Sequence, residues 1–143
     1  MLVSALSSAS KCFGIELMCH PAQYADKLLS RFAHQMQTKG VSHAPIQLIQ
    51  GDFLECPEVK TALGTAGLVF VNNPKFGPEL NNQILIKLCP LLLKGTKLIC
   101  FESLIGTKGY WNDTMRYKTS LVCRAGCVSW HWNDVTLHIL EKL

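Results

Sequence analysis

The chain has 143 residues, 48% of them hydrophobic and 17% charged, with a formal net charge of +4. That length suits one domain with a real core and not two, and the composition excludes a disordered chain. No apolar run approaches the ~20 residues a bilayer span needs, so no membrane role is expected, and the mild positive charge suits an acidic partner, non-specific nucleic-acid contact included, without demanding one.

Residues 1–6 lack the basic start of a secretory signal and read as part of the fold. Leu2 to Ser10 is helix-like and rich in small residues. Cys12 to Glu16 reads as a short apolar strand ending in an acid. Pro21 then opens a helix, where a missing N–H costs nothing. Tyr24, Leu28, Phe32 and Met36 recur every four residues and predict one apolar face, which Lys39-Gly40 closes. Ile46 to Ile49 is the next strand, running into Gly51-Asp52-Phe53, and Pro57 to Leu63 a short helix.

Leu68-Val69-Phe70-Val71 follows, four apolar residues that read as a strand buried on both faces. It stops at Asn72-Asn73, and Pro74-Lys75-Phe76-Gly77-Pro78 forces a sharp turn. Pro78 starts a helix with Leu80, Ile84, Leu85 and Leu88 inward, and Pro90 kinks or ends it. Lys94-Gly95 is a turn and Lys97 to Phe101 a further strand. Ile105 to Asp113 reads as a loop, and Tyr117 to Arg124 and Val135 to Leu140 as two strands joined by a hairpin connection from Gly126 to Trp132. Strand and helix alternate first and a hairpin closes the chain. The fold class is therefore α/β, a mostly parallel, helix-covered sheet with an antiparallel C-terminal hairpin.

Seven cysteines, scattered through apolar segments, suggest buried thiols in a reducing compartment. Cys123, Cys127, His131 and His138 fit no common zinc spacing, so no metal is expected.

In open α/β sheets ligands sit beyond the carboxyl ends of the strands. Three such ends carry polar residues here. Glu16 can accept both hydroxyls of a ribose or simply precede the Pro21 helix at its positive end. Asp52 can bond an adenine amine with Phe53 covering the base, or the two can be a turn acid and a core ring. Asn72 and Asn73 can position a cofactor or an incoming amine through uncharged hydrogen bonds, or be turn asparagines. Phe76 can wall an apolar slot, and Trp130 and Trp132, flanking His131, can line it. Lys75 is most simply solvated. The chain holds no Gly-rich phosphate loop, no Ser-His-Asp arrangement and no closely spaced carboxylate pair, which argues against kinase, hydrolase and glycosidase chemistry.

The stretch Val69-Phe70-Val71-Asn72-Asn73-Pro74-Lys75-Phe76-Gly77-Pro78-Glu79 resembles the signature of the non-SET histone-lysine methyltransferases, the disruptor-of-telomeric-silencing class. Phe13-Gly14-Ile15-Glu16, Gly51-Asp52-Phe53-Leu54, Leu93-Lys94-Gly95, Asp113-Thr114-Met115-Arg116 and Val128-Ser129-Trp130 follow in the family's order with similar spacing. The resemblance implies a class I, Rossmann-like methyltransferase domain that uses S-adenosylmethionine on a lysine of the globular core of histone H3 in the nucleosome, in the nucleus. It implies that Glu16 holds the ribose hydroxyls, that Asp52 and Phe53 contact the adenine, and that Asn72 sits by the methionine end. Phe70, Phe76 and Trp130 would line the lysine channel, with Asn72 and Phe76 nearest the chemistry.

Two departures accompany the resemblance. The family's Asp-x-Gly-x-Gly loop and the strand before it do not occur, and the chain starts inside the following helix. In the class I strand order 3-2-1-4-5-7-6 this leaves a gap between the strands ending at Glu16 and Asn72, as in a fragment or a relict with weak cofactor binding. A family tyrosine pair in the last strand aligns with Thr136, Leu137 and His138. These departures support an alternative, a non-catalytic methyltransferase-fold domain that serves as an interaction module. A second alternative is methyl transfer to an adenine amine of nucleic acid, whose enzymes carry a motif that Asn73-Pro74-Lys75-Phe76 partly echoes.

Overall fold

The structure is a computed structural model that describes residues 1–105, 114–128 and 132–143. The chain divides into two compact units, Met1–Val59 and Lys60–Leu143. The first holds helix α1 (Leu2–Leu6), strand β1 (Cys12–Glu16), helix α2 (Cys19–Thr38) and strand β2 (Ile46–Gln50). Strands β1 and β2 pair in parallel with Glu16 opposite Gln50, so their carboxyl ends lie side by side. Gly51 N–H donates to Glu16 O at 2.9 Å and extends that pairing past the strand ends.

Helix α2 begins at Cys19, two residues ahead of the expected start. Pro21 falls within its first turn, where no intrahelical acceptor is lost. Its inward face is narrower than the four-residue repeat predicts. Phe32 is buried and Leu28, Leu29 and Met36 are half-buried, but Tyr24 is 61% exposed. The Phe32 ring meets the His43 ring edge-on at 5.0 Å, with His43 on the approach to β2.

Helix α3 (Pro57–Leu63) leads into the second unit. There β3 (Leu68–Val71), helix α4 (Gly77–Gln83), β4 (Lys97–Cys100), β5 (Met115–Cys123) and β6 (Val135–Lys142) follow in order. The strands form one sheet in the order β3-β4-β6-β5. β3 and β4 are parallel, whereas β6 runs antiparallel to both its neighbours. Helix α4 continues as a π-helical turn, Ile84–Leu88, and a 3-10 turn, Cys89–Leu91, that takes up Pro90. Pro90 therefore ends the helix by tightening it. Gly95 takes φ +85° in the turn before β4, a backbone that a side chain would strain.

The core of this unit is built from Ile84, Leu88, Cys89 and Leu92 against Leu98, Cys100, Leu104, Met115 and Leu140, each under 9% exposed. Two parallel pairs followed by an antiparallel hairpin give the expected fold class. Strand β1 pairs only with β2, and β3 only with β4, among the described residues. The two sheets thus reproduce the 3-2 and 4-5-7-6 blocks of the class I order with no ladder joining them.

One expectation fails at β3. Leu68 and Phe70 are 52% and 56% exposed, so the strand is not buried on both faces. It is an edge strand among the described residues, and Leu68 and Phe70 stand on its more exposed face.

Candidate functional site

In the first unit, the parallel register places Glu16 and the segment after β2 at one end of the sheet. Glu16 is exposed, and its Oε1 accepts the Met18 N–H at 2.9 Å just before α2 begins. This is the local role of an acid preceding a helix, and it leaves the carboxylate open to solvent. Asp52 is also exposed. Its Oδ1 accepts the Leu54 N–H at 2.8 Å, which closes an Asx turn, while its carbonyl accepts from Glu55 and Cys56. Phe53 is half-buried beside it.

In the second unit, the turn after β3 treats its two asparagines in opposite ways. Asn72 is exposed, and its amide makes no hydrogen bond among the described residues. Asn73 is 0% exposed. Its Nδ2 donates to Asn81 Oδ1 at 2.9 Å and to Glu102 O at 2.8 Å. Its Oδ1 accepts the N–H groups of Phe101 and Glu102 at 2.9 and 3.0 Å. Every donor and acceptor of that amide is used. Asn73 therefore ties the end of β3 to the end of β4 and to α4, and cannot reach a ligand.

Phe76 is half-buried at the entry to α4, and its N–H donates to Asn73 O at 3.2 Å. Gly77 then takes φ +72°, which lets the chain swing into the helix without strain. Phe70 projects from the exposed face of β3, with its ring 5.8 Å from the Phe101 ring at 77°. Trp132 is 92% exposed. Trp130, His131 and the loop 106–113 lie outside the described residues. At the altered tyrosine pair, His138 Nδ1 and the Tyr117 hydroxyl lie 3.3 Å apart across β6 and β5.

Asn81 and Glu102 carry a larger part of this site than the sequence reading gave them. Asn81 Nδ2 donates to Glu102 Oε2 at 3.2 Å, so a chain of amides fixes an acid at the end of β4. Pro78, Asn81, Asn82, Glu102, Ser103 and Leu104 line an open pocket of about 320 Å³ beside it. Both residues had a signal. Glu102 is the first charge after β4, as Asp52 is after β2, and Glu16 is the last residue of β1. Asn81 shares the inward stripe of Ile84 and Leu88, and a buried amide there implies a partner.

A model of the histone methylation protein DOT1 family matches residues 1–140. The chain belongs to the DOT1 family. Among relatives, an H3 lysine-79 specific histone-lysine N-methyltransferase of Drosophila melanogaster is 29% identical over 140 residues, which is 92% of this chain and 8% of the fly protein. The enzyme of the same description from Caenorhabditis elegans is 31% identical over 103 residues, 72% of this chain and 11% of the worm protein. This DOT1-family chain thus spans a small part of the length of the relatives it matches. A solved structure from Haemophilus influenzae, assigned as a methylase, superposes with a TM-score of 0.53 at 14% identity, covering 94% of this chain and 74% of that one. At that identity the likeness concerns the fold, and it agrees with the class I strand order.

Proposed function

We propose that this DOT1-family chain belongs to the catalytic domain of a nuclear protein-lysine methyltransferase that uses S-adenosylmethionine on histone H3 in nucleosomes. The observation that carries the reading is the exposed amide of Asn72 at the mouth of β3, which makes no hydrogen bond among the described residues, within a motif that Asn73 ties to β4. The available donors and acceptors suit the cofactor. Within the first unit, the exposed carboxylates at Glu16 and Asp52 match hydroxyl and amine donors; within the second, taken by itself, the Asn72 amide suits a zwitterionic amino-acid end.

S-adenosylmethionine, when bound, supplies a methyl group already activated by its sulfonium. The chain then needs little acid–base machinery. Asn72 orients the donor without adding charge. Phe76, with Phe70 and Trp130 as proposed companions, walls an apolar approach. An apolar wall disfavours the ammonium form of a lysine, so the amine arrives neutral and nucleophilic. Alignment and water exclusion supply the rate. A site that offers amides and rings suits such a transfer.

The test is transfer of tritium from labelled S-adenosylmethionine to nucleosomes and, separately, to RNA. The expected result is label on a lysine of H3 that is lost in Asn72→Ala. Label on RNA adenine instead would favour the nucleic-acid reading, and no label on either would favour an interaction module.

A further inference from the structure

The pocket beside Glu102 has no role in the proposed transfer, yet much of the local hydrogen bonding is spent on shaping it. Asn73 fixes both the N–H and the carbonyl of Glu102, and Asn81 fixes one carboxylate oxygen. Glu102 is the only ionisable side chain among the lining residues. Pro78 and Leu104 contribute apolar lining, and Asn82 and Ser103 contribute polar groups. Ser103 Oγ donates to Ile105 O at 2.7 Å, which leaves its lone pairs as acceptors. Such a cavity offers both acceptors and hydrocarbon.

We propose that this pocket is a subsite for an arginine side chain of the substrate protein. The guanidinium pairs with the Glu102 carboxylate and reaches the oxygens of Asn82 and Ser103, and its stem lies along Pro78 and Leu104. The inference rests on the methyltransferase reading for the identity of the partner. Its chemistry is independent of that reading, because binding needs no methyl transfer. Preorganisation by Asn73 and Asn81 means that Glu102 loses little freedom on pairing.

The test is a titration of the isotopically labelled chain with Nα-acetyl-arginine methylamide, followed by heteronuclear NMR. The citrulline counterpart, of the same shape but uncharged, is the control. The expected result is saturable shifts of the Asn81 and Asn82 side-chain amides and the Ser103 N–H. The citrulline analogue should bind about ten-fold more weakly, and Glu102→Gln, which keeps an acceptor for Asn81, should lower arginine affinity by about the same factor. Equal binding of the two analogues, or no shift at these residues, overturns the proposal, and neither result depends on a folded variant. Nucleosomes left unlabelled in the tritium assay would not alter this outcome, so the two failures are distinguishable.

Discussion

Asn72 and Asn73 look alike in the sequence, and their roles separate only in three dimensions. The separation follows from strand alternation carried two residues past the end of β3. Asn72 shares the exposed parity of Leu68 and Phe70, and Asn73 the inward parity of Val69 and Val71. The pair was legible as a polar turn closing β3, but the partner that makes Asn73 structural, the backbone of Phe101 and Glu102, is distant in sequence. Asn73→Ala would strip partners from two N–H groups, a carbonyl and the Asn81 amide. It should cost roughly 2–4 kcal/mol in urea unfolding, whereas Asn72→Ala should stay within about 0.5 kcal/mol. Equal costs for the two substitutions would contradict this division of labour.

At the scale of elements, the regular segments were legible because apolar periodicity and Pro/Gly punctuation agree along most of the chain. Strand β3 was misread because an uninterrupted apolar run carries no mark of whether a neighbour covers it, and here the strand lies at an edge. Tyr24 was misread for a related reason: the four-residue repeat drifts around the helix, and by that end it has left the packed stripe. The cysteines divide in the same way. Cys89, in the turn after α4, and Cys100, at the end of β4, are buried, while Cys19 and Cys127 are exposed. Burial pushes the Cys89 thiol up to about 12, with Cys100 beside it adding to the effect. Burial likewise raises Cys100 to about 11.

Both thiols therefore keep their protons in the folded state well above the ordinary 9.0, while in the unfolded chain they lose them there. Folding stability is unaffected below that pH and falls as pH rises from about 9 toward 12. Iodoacetamide at pH 8 should modify Cys19 and Cys127 at least about a hundred-fold faster than Cys89 and Cys100, read by peptide mass spectrometry. Comparable rates at all four would contradict the buried positions.

For the molecule as a whole, the two units differ in how much they bury. Among the described residues, Phe32 and Val59 are the only buried apolar side chains in Met1–Val59, and the remaining core lies in Lys60–Leu143. A two-stranded sheet with so small a core is marginal, whereas four strands packed under a helix are not. Hydrogen exchange should therefore show lower protection in β1 and β2 than in β4 and β6, with unfolding in more than one step. Uniform protection across all four strands would contradict this. The strand order within each block and the gap between the strands ending at Glu16 and Asn72 were legible from the family pattern, while the small core of Met1–Val59 was not, because burial is a property of packing rather than of any one segment.

The central claim is that Asn72 is the exposed amide that meets the methyl donor while Asn73 only holds the turn. It is tested most directly by titrating S-adenosylmethionine into the chain, to about ten millimolar, and following the two side-chain amide signals by NMR. The account predicts a saturable shift of the Asn72 amide, with that of Asn73 little changed. An Asn72 signal that stays in place throughout the titration would contradict it.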